Sequence, residues 1–367
     1  MRDNRIGARL ARPALLGAWL AALPLAAATA EEDSYPKLSG AVGIEVQNDY
    51  NFDSEDPANE QNELGTTIEP VFVLSFSESV FVEAGVTLEA VEDPDPSEDR
   101  VFQDHGAYVD TLTLNYEGDG YGVYAGKFGP HFSVGYDLAA GLYGTDIAGD
   151  DIELAEFWGA GGVLGLGNHG YGDMSLSASV FLADRTVLSE SFITNRGRND
   201  LAAGGPGNTE APENFAIAFD GADAPLADGF NYHVSFARLG FDAADTEYRA
   251  AVAGEWYFEL ENGVGIVPFV EYVHFFNADG NTNEDRHYVI TSLAAEWEQW
   301  HAALAYTGKV VTVSGGGNGD TYDDQIQLSG GYVFENGIGI DVGYKFNRTA
   351  GIETQTVGAL LSYGFEF

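Results

Sequence analysis

Apolar and polar residues alternate along most of this chain of 367 residues. The last stretch shows the pattern clearly, because one parity carries apolar side chains and the other is mostly small or polar. The apolar parity consists of Val357, Ala359, Leu361, Tyr363, Phe365 and Phe367. A period of two with aromatic residues on one face predicts a β-strand whose two faces meet different surroundings.

The same alternation predicts sixteen strands, an even number. Their ranges are 37–52, 63–77, 79–91, 106–117, 120–128, 152–166, 171–183, 214–220, 230–240, 246–260, 264–277, 286–297, 300–311, 322–334, 338–348 and 354–367. Short connections such as Glu298-Gln299 and Glu335-Asn-Gly337 alternate with longer ones, and Asn-Gly favours a two-residue hairpin turn. The longer connections span 53–62, 92–105, 129–151, 184–213, 278–285 and 312–321.

Alternation by itself leaves open which face is inside, since a soluble antiparallel sheet buries its apolar face. Aromatic pairs such as Tyr50/Phe52 and Trp297/Trp300 lie at strand ends, where amphipathic rings suit the two interfaces of a membrane. Short turns at one end and long loops at the other are typical of outer-membrane barrels. The sequence therefore predicts an all-β fold, a transmembrane antiparallel β-barrel of about 16 strands over residues 31–367.

The first 30 residues have the pattern of an export signal. Four arginines precede an apolar run at 14–28, and Ala28-Thr29-Ala30 offers a small-residue cleavage site. The run is shorter than the roughly 20 residues of a spanning helix, and it contains Pro24. We therefore expect residues 1–30 to be a cleaved signal peptide and the mature chain to be exported.

The composition is strongly acidic, with 16 Lys and Arg against 58 Asp and Glu and a formal net charge of −42. Loss of residues 1–30 leaves 12 basic and 57 acidic residues. Nucleic acid is excluded as a partner, because its recognition requires a basic surface. The sequence contains no Cys, so disulfides and thiolate metal sites are excluded as well.

With its signal peptide, sixteen alternating strands, acidic long loops and terminal Phe367, the chain resembles the Gram-negative general porins. The resemblance implies a place in the cell outer membrane and contact there with lipid and lipopolysaccharide. It also implies a water-filled channel for passive diffusion of small hydrophilic solutes and assembly as a homotrimer. The last strand, with Tyr363, Phe365 and Phe367, would then be the signal read by the insertion machinery.

In those porins, the loop between the fifth and sixth strands folds into the lumen. Here that position is 129–151, which is rich in Leu, Ala, Val, Tyr and Phe and is too apolar for a freely solvated loop. It lacks the Pro-Glu-Phe-Gly type of turn found in that family. We expect this loop to pack against the barrel wall and to narrow the pore. Its acidic residues are the candidate constriction residues: Asp137, Asp146, Asp150 and Asp151.

Parity also predicts which side chains line the lumen. The candidates are Glu45, Glu69, Glu83, Glu89, Lys127, Arg249, Glu255, Asp341 and Lys345. Bases are few, and acids on the first three strands occupy the place of the porins' basic cluster. The acids of the loop are therefore expected to face an acidic wall, and the channel is expected to prefer cations.

Residues that could carry other chemistry are sparse. The G-x-G-x-x-G match at 165–170 lies between two strands without a following helix, so it is interpreted as a hairpin turn. The seven His show no ligand spacing, and we expect neither an enzyme nor a specific metal site or cofactor. The acidic loops 53–56, 92–99 and 279–285 could bind Ca²⁺ or Mg²⁺ loosely.

The sequence is compatible with two alternative functions. One is a substrate-selective outer-membrane channel. The other is a structural or adhesive barrel whose activity resides in the 184–213 loop.

Overall fold

The computed structural model describes residues 34–225, 227–314 and 320–367, so the predicted signal peptide lies outside the described residues. Sixteen long strands form one antiparallel sheet in which sequential strands are neighbours. They are β1 (Lys37–Ser54), β2 (Asn62–Ser75), β3 (Val80–Ala90), β4 (His105–Gly118), β5 (Tyr121–Phe128), β6 (Phe157–Asn168), β7 (Asp173–Ala183), β8 (Asn214–Ala224), β9 (Phe230–Leu239), β10 (Glu247–Trp256), β11 (Gly265–Phe276), β12 (Glu284–Trp297), β13 (Trp300–Val313), β14 (Thr321–Val333), β15 (Gly339–Thr349) and β16 (Ile352–Glu366).

The sheet closes on itself, because β1 pairs with both β2 and β16. Ala41 lies opposite Glu366 in this closing pair. Gly40 and Phe367 exchange two backbone hydrogen bonds of 3.0 Å each, which extends the pairing to the last residue. The Phe367 ring packs edge-on against Phe72, with 6.0 Å between the ring centroids. The predicted sixteen-stranded antiparallel barrel is confirmed.

Burial follows parity in the direction that a membrane barrel requires. Apolar side chains on one face are exposed, for example Val342 at 60 % and Leu361 at 48 %. Polar side chains on the other face are buried, for example Gln327 and Thr356 at 1 %. A soluble barrel would show the reverse, so the apolar face is the outer surface and the polar face lines the lumen.

The remaining elements are short. Three two-residue strands occur at Arg100–Val101, Phe192–Ile193 and Phe258–Glu259. Two four-residue helices, α1 (Gly135–Leu138) and α2 (Gly149–Ile152), lie between β5 and β6. Single 3₁₀ turns lie at Pro57–Asn59, Val187–Ser189, Leu201–Ala203 and Ala278–Gly280. Within the described ranges, no helix is both long and apolar enough to cross a membrane.

The structure corrects some details of the sequence prediction. At Glu335-Asn-Gly337 only Gly337 has positive φ, and Gly337 N–H donates to Phe334 O. The turn is therefore longer than two residues and ends in a left-handed glycine, as in a three-residue hairpin with a bulge. Asp110 lies on the apolar parity of its strand, which suggests a bulge or a shifted register, and a register shift between Gly85 and Val86 of the neighbouring strand confirms the bulge.

The predicted sixth strand began at residue 152, whereas β6 begins at Phe157. The reason is that residues 149–152 form α2 and that Ile152 and Leu154 are buried. The connection between β5 and β6 therefore spans 129–156, and we call it the lumen loop.

The barrel wall is low beside the lumen loop. The upper end of β4 extends beyond β5, since β5 pairs only with residues 112–118. The short strand Phe192–Ile193 pairs instead with Gly106 and Ala107 on this upper end. A segment of the 184–213 connection thus completes the wall where β5 has already ended.

Candidate functional site

The lumen loop begins on β5 and contacts inward-facing side chains of the opposite wall. Glu271 on β11 is fully buried and accepts three hydrogen bonds from the start of the loop. The donors are Ser133 Oγ at 2.7 Å, Val134 N at 2.9 Å and Gly135 N at 2.8 Å. The backbone donors lie at the first turn of α1, where N–H groups have no partner within the helix. A Cβ at Gly135 would lie 2.3 Å from the Glu271 carboxylate, so a larger residue here would displace the carboxylate from its donors.

Neutral side chains of the wall bind the next part of the loop. Ala140 N donates to Ser292 Oγ at 3.0 Å, and Leu142 N donates to Ser329 Oγ at 3.2 Å. The Gln327 amide binds the loop twice, since its Oε1 accepts from Tyr143 N at 2.9 Å and its Nε2 donates to Gly144 O at 2.7 Å. These bonds satisfy loop backbone groups that would otherwise be buried without partners.

Asp151 fastens the returning part of the loop. Its carboxylate accepts hydrogen bonds from Lys309 Nζ at 2.6 Å and from Tyr288 OH at 2.8 Å. Its carbonyl oxygen accepts from Arg249 at 2.7 Å. Although burial acts in the opposite direction, the bonds from Lys309 and Tyr288 hold the pKa of Asp151 below its ordinary value.

Apolar side chains fill the space between the loop and this wall. The loop contributes Phe132, Val134, Ala148, Ile152 and Leu154, and the strands contribute Ala237, Leu239, Phe269, Val273, Phe275, Tyr288 and Ile290. A hydrophobic core therefore lies inside the barrel on one side of the lumen. Burial of this apolar surface holds the loop in place together with the polar contacts.

The opposite side of the lumen, formed by β1 to β4, carries carboxylates. We call Glu45, Glu69, Glu83 and Glu89 the acidic wall. Cross-strand pairing places two of them close together, since Glu45 pairs with Thr67 and Glu69 with Gly43 in the same strand pair. Glu89 accepts a hydrogen bond from Tyr108 OH at 2.5 Å. Among the described residues, none forms an ion pair with Glu45, Glu69 or Glu83.

The predicted constriction residues have different surroundings. The expectation that the loop acids face an acidic wall is wrong for Asp146 and Asp151, which pair with Lys345 and Lys309. The reason is that the few bases of the lumen are concentrated on the wall that the loop contacts. Asp137, at the end of α1, is exposed to the lumen, and enclosure by the barrel raises the pKa of its carboxyl to about 6. The side chain of Asp150 lies outside what the structure describes.

Two predicted lining residues face inward but are covered. Lys127 is fully buried, and its Nζ lies 2.7 Å from Glu156 and 2.8 Å from Asp184 in the two long connections. Arg249 is 4 % exposed, binds Glu247 at 2.6 Å and stacks on a phenylalanine ring. Because the loops cover these cations, neither side chain contributes an exposed charge to the lumen.

The other predicted lining residues also lie on the inner face. Glu255, on β10, accepts a hydrogen bond from Asn231 at 3.0 Å. Asp341 on β15 is buried and pairs with His301. Lys345 is held by the loop through Asp146.

Most side chains that anchor the loop were not among the residues predicted from the sequence. Lys309 could have been found by parity, because it alternates with the exposed Leu304 and Tyr306 on β13. Glu271 could not be predicted to face the lumen, because β11 is apolar on both faces. The buried Phe269 and Val273 flank Glu271 on the inner face. A strand with this composition gives no alternating signal.

A closed barrel of sixteen antiparallel strands, apolar outside and polar inside, with a long loop against its inner wall, has the architecture of the porin-like outer-membrane channels. Comparison with solved structures agrees with this class. The chain is similar to OccK9 (OpdG) of Pseudomonas aeruginosa, with 11% identity, a TM-score of 0.56, and coverage of 90% of this chain and 98% of that chain.

Two further solved structures are similar in the same way. For OpdL of Pseudomonas aeruginosa the identity is 10% and the TM-score 0.54, with 90% of this chain and 99% of that chain covered. For the outer-membrane channel DcaP of Acinetobacter baumannii the identity is 13% and the TM-score 0.53, with 90% and 96% covered. At these identities the likeness shows the fold alone. No protein-family model matches the chain, and no curated protein matches it.

Proposed function

We propose that the chain is an outer-membrane channel for passive diffusion of small hydrophilic solutes, and that it prefers cations. The observation that carries this proposal is the acidic wall, whose Glu45, Glu69 and Glu83 have no ionic partner among the described residues. A sixteen-stranded barrel is wide enough for an aqueous channel, and DcaP, a protein of the same fold, is an outer-membrane channel.

The cations of the lumen do not balance the acidic wall. Lys309 and Lys345 are paired with acids of the lumen loop, and Lys127 and Arg249 are buried beneath the long connections. The carboxylates opposite them are left to set the potential of the open part of the lumen. Charges within a pore about as wide as the Debye length, roughly 10 Å at 0.1 M salt, act together on a passing ion. Cations should therefore be concentrated there and anions excluded.

The test is the zero-current potential across a KCl gradient in a planar bilayer. We expect a cation-selective sign that weakens as salt is raised. A pore that passes only one kind of ion gives about 59 mV per tenfold gradient. The variant Glu45→Gln/Glu69→Gln/Glu83→Gln should move the potential toward zero by at least about half, because it removes three of the four carboxylates of the acidic wall. The matched control neutralises three acids of an outer connection, Glu92, Asp93 and Asp95, and should change the potential much less. An anion-selective sign, or equal effects of the two triple variants, would refute the proposal.

A substrate-selective channel is the second candidate. Its support is the apolar side chain of Leu138, 40 % exposed beside Asp137, which together offer an organic cation both an apolar and an anionic contact. The structure of OpdK that contains vanillate comes from a protein of the same fold, and the acidic wall here disfavours an anion of that kind. Block of the current by particular solutes would favour selectivity, whereas a barrel with no conductance would favour a structural or adhesive role.

The remaining proposals concern the surroundings of the channel. We place the mature chain in the outer membrane of a Gram-negative bacterium, in contact with lipid and lipopolysaccharide and assembled as a homotrimer. We also propose that the acidic loops bind Ca²⁺ or Mg²⁺ loosely. Chemical crosslinking in native membranes and the size of the unheated species on gels test the trimer.

A further inference from the structure

Two histidines and one aspartate that are far apart in sequence meet where the lumen loop leaves β5. His131 belongs to the loop, Asp220 to β8 and His233 to β9. One ligand atom from each of the three lies within 4.8 Å of the other two. The His131 Nε2 is 3.2 Å from Asp220 Oδ2, and the His233 Nδ1 is 2.7 Å from Asp220 Oδ1. The sequence spacing alone gave no indication of a metal site.

The hydrogen bonds of His233 define which nitrogen can act as a ligand. Its Nε2 lies 2.5 Å from the carbonyl oxygen of Phe132, which also accepts a bond from Ser235 Oγ at 2.7 Å. A carbonyl can only accept, so His233 Nε2 carries the hydrogen. His233 Nδ1 therefore faces the Asp220 carboxylate at 2.7 Å, and a positive charge must join these two atoms, either a proton on Nδ1 or a metal ion that replaces that proton.

We propose that His131, Asp220 and His233 bind a divalent cation of the Zn²⁺ type. An imidazole whose second nitrogen donates to a backbone carbonyl is the usual arrangement of a metal-bound histidine. Two imidazoles and one carboxylate are a ligand set that Zn²⁺ accepts, with water in the fourth position. Tetrahedral Zn²⁺ with bonds of about 2.1 Å separates its ligand atoms by about 3.4 Å, so small side-chain rotations suffice.

The surroundings favour a cation and allow it to enter. Asp137 and Glu271 lie close enough to add negative potential at His131. The His131 side chain is 39% exposed, whereas that of His233 is 4% exposed. The metal would therefore enter from the lumen and complete its coordination on a rigid wall. Because His131 belongs to the loop, a bound metal would fasten the start of the lumen loop to β8 and β9.

The experiment uses the folded mature chain in detergent, treated with chelator and titrated with Zn²⁺ by calorimetry in excess Mg²⁺. Magnesium occupies weak oxygen sites and competes poorly for imidazole. We expect one Zn²⁺ per chain. His131→Ala and Asp220→Asn should each weaken binding at least about tenfold, given that loss of even an outer-shell partner costs 10- to 100-fold. His287→Ala removes a histidine of the outer surface and should leave the affinity unchanged.

Heat-modifiable migration on gels verifies that each variant is folded. His131 lies in a loop and is the least buried of the three proposed ligands, so its replacement should disturb folding least. If Asp220→Asn does not fold, the Zn²⁺ affinity of His131→Ala tests the proposed site. Absence of saturable Zn²⁺ binding by the wild-type chain would overturn the proposal. Wild-type affinity in His131→Ala would also overturn it, and would leave only a hydrogen-bonded cluster. Conductance does not enter this test, so its result is independent of the channel proposal.

Discussion

Replacement of Glu271 by Gln should loosen the lumen loop without unfolding the barrel. The carboxylate accepts bonds from Ser133, Val134 and Gly135. In Glu271→Gln one oxygen becomes an amide nitrogen, which cannot accept from a backbone N–H. If the oxygen stays toward Val134, the N–H of Gly135 loses its acceptor inside a fully buried site.

A buried donor without an acceptor costs about 1–3 kcal/mol. The cost falls on the docked state of the loop, since the undocked N–H can bind water. At 1.4 kcal/mol per tenfold, the equilibrium constant for loop opening should rise roughly 5- to 150-fold. Glu271→Ala loses all three bonds and should exceed this range.

Proteolysis can measure the opening, because cleavage of a transiently open segment follows its population when reclosing is fast. The lumen loop contains no Lys or Arg, but it contains aromatic residues such as Tyr136 and Tyr143. Chymotrypsin should therefore cut the loop 5- to 150-fold faster in Glu271→Gln, by about the factor estimated above. Trypsin should not cut the loop in either protein.

The matched control is Glu255→Gln on the neighbouring strand. Its carboxylate faces the lumen and accepts from the Asn231 side chain, a bond that a glutamine oxygen can keep. This variant should be cut at the wild-type rate. Equal rates for wild type and both Glu271 variants, with the barrel intact by heat-modifiable migration, would mean that the loop does not depend on this carboxylate.

Two further predictions concern pH and barrel closure. Enclosure raises the pKa of Asp137 to about 6, so its charge is present above that pH and lost below it. Cation preference in the KCl gradient should therefore weaken as the pH falls through about 6, and Asp137→Asn should remove this part of the pH dependence; an unchanged pH profile in the variant would contradict the assignment. Deletion of Phe367 removes two backbone bonds to Gly40 and the contact with Phe72, so assembly in the outer membrane should fall while signal-peptide cleavage continues. Normal assembly of the shortened chain, measured by heat-modifiable migration, would show that these contacts are dispensable.

The sequence was sufficient to predict the barrel because each strand carries its own signal. Val357 to Phe367 alternate in the sequence and are exposed on alternate positions in the structure, since a strand has only two faces. Strand ends were less certain where the next residues are also apolar. Residue 152 was assigned to a strand, but Ile152 is apolar because it packs inside the lumen.

The loop contacts could not be predicted in the same way. The pair Asp151–Lys309 joins residues 158 positions apart, and either partner could have been a solvated charge. Which acid meets which base depends on the path of the loop across the lumen, and no local pattern encodes that path. The cluster of His131, Asp220 and His233 could not be predicted for the same reason, because its three residues are distant in the sequence and lie on the loop, on β8 and on β9.

Three of the side chains that anchor the lumen loop come much later in the chain than the loop itself, and this has a consequence for assembly. Glu271 follows Ser133 by 138 residues, Lys309 follows Asp151 by 158, and Lys345 follows Asp146 by 199. A nascent barrel that has joined only its first eight strands therefore holds the loop but none of these partners. Contacts between such distant residues form late, after the intervening chain has been ordered. An incomplete barrel would therefore contain the loop without the contacts that fix it to the opposite wall, and those contacts would form only as the last strands close the barrel.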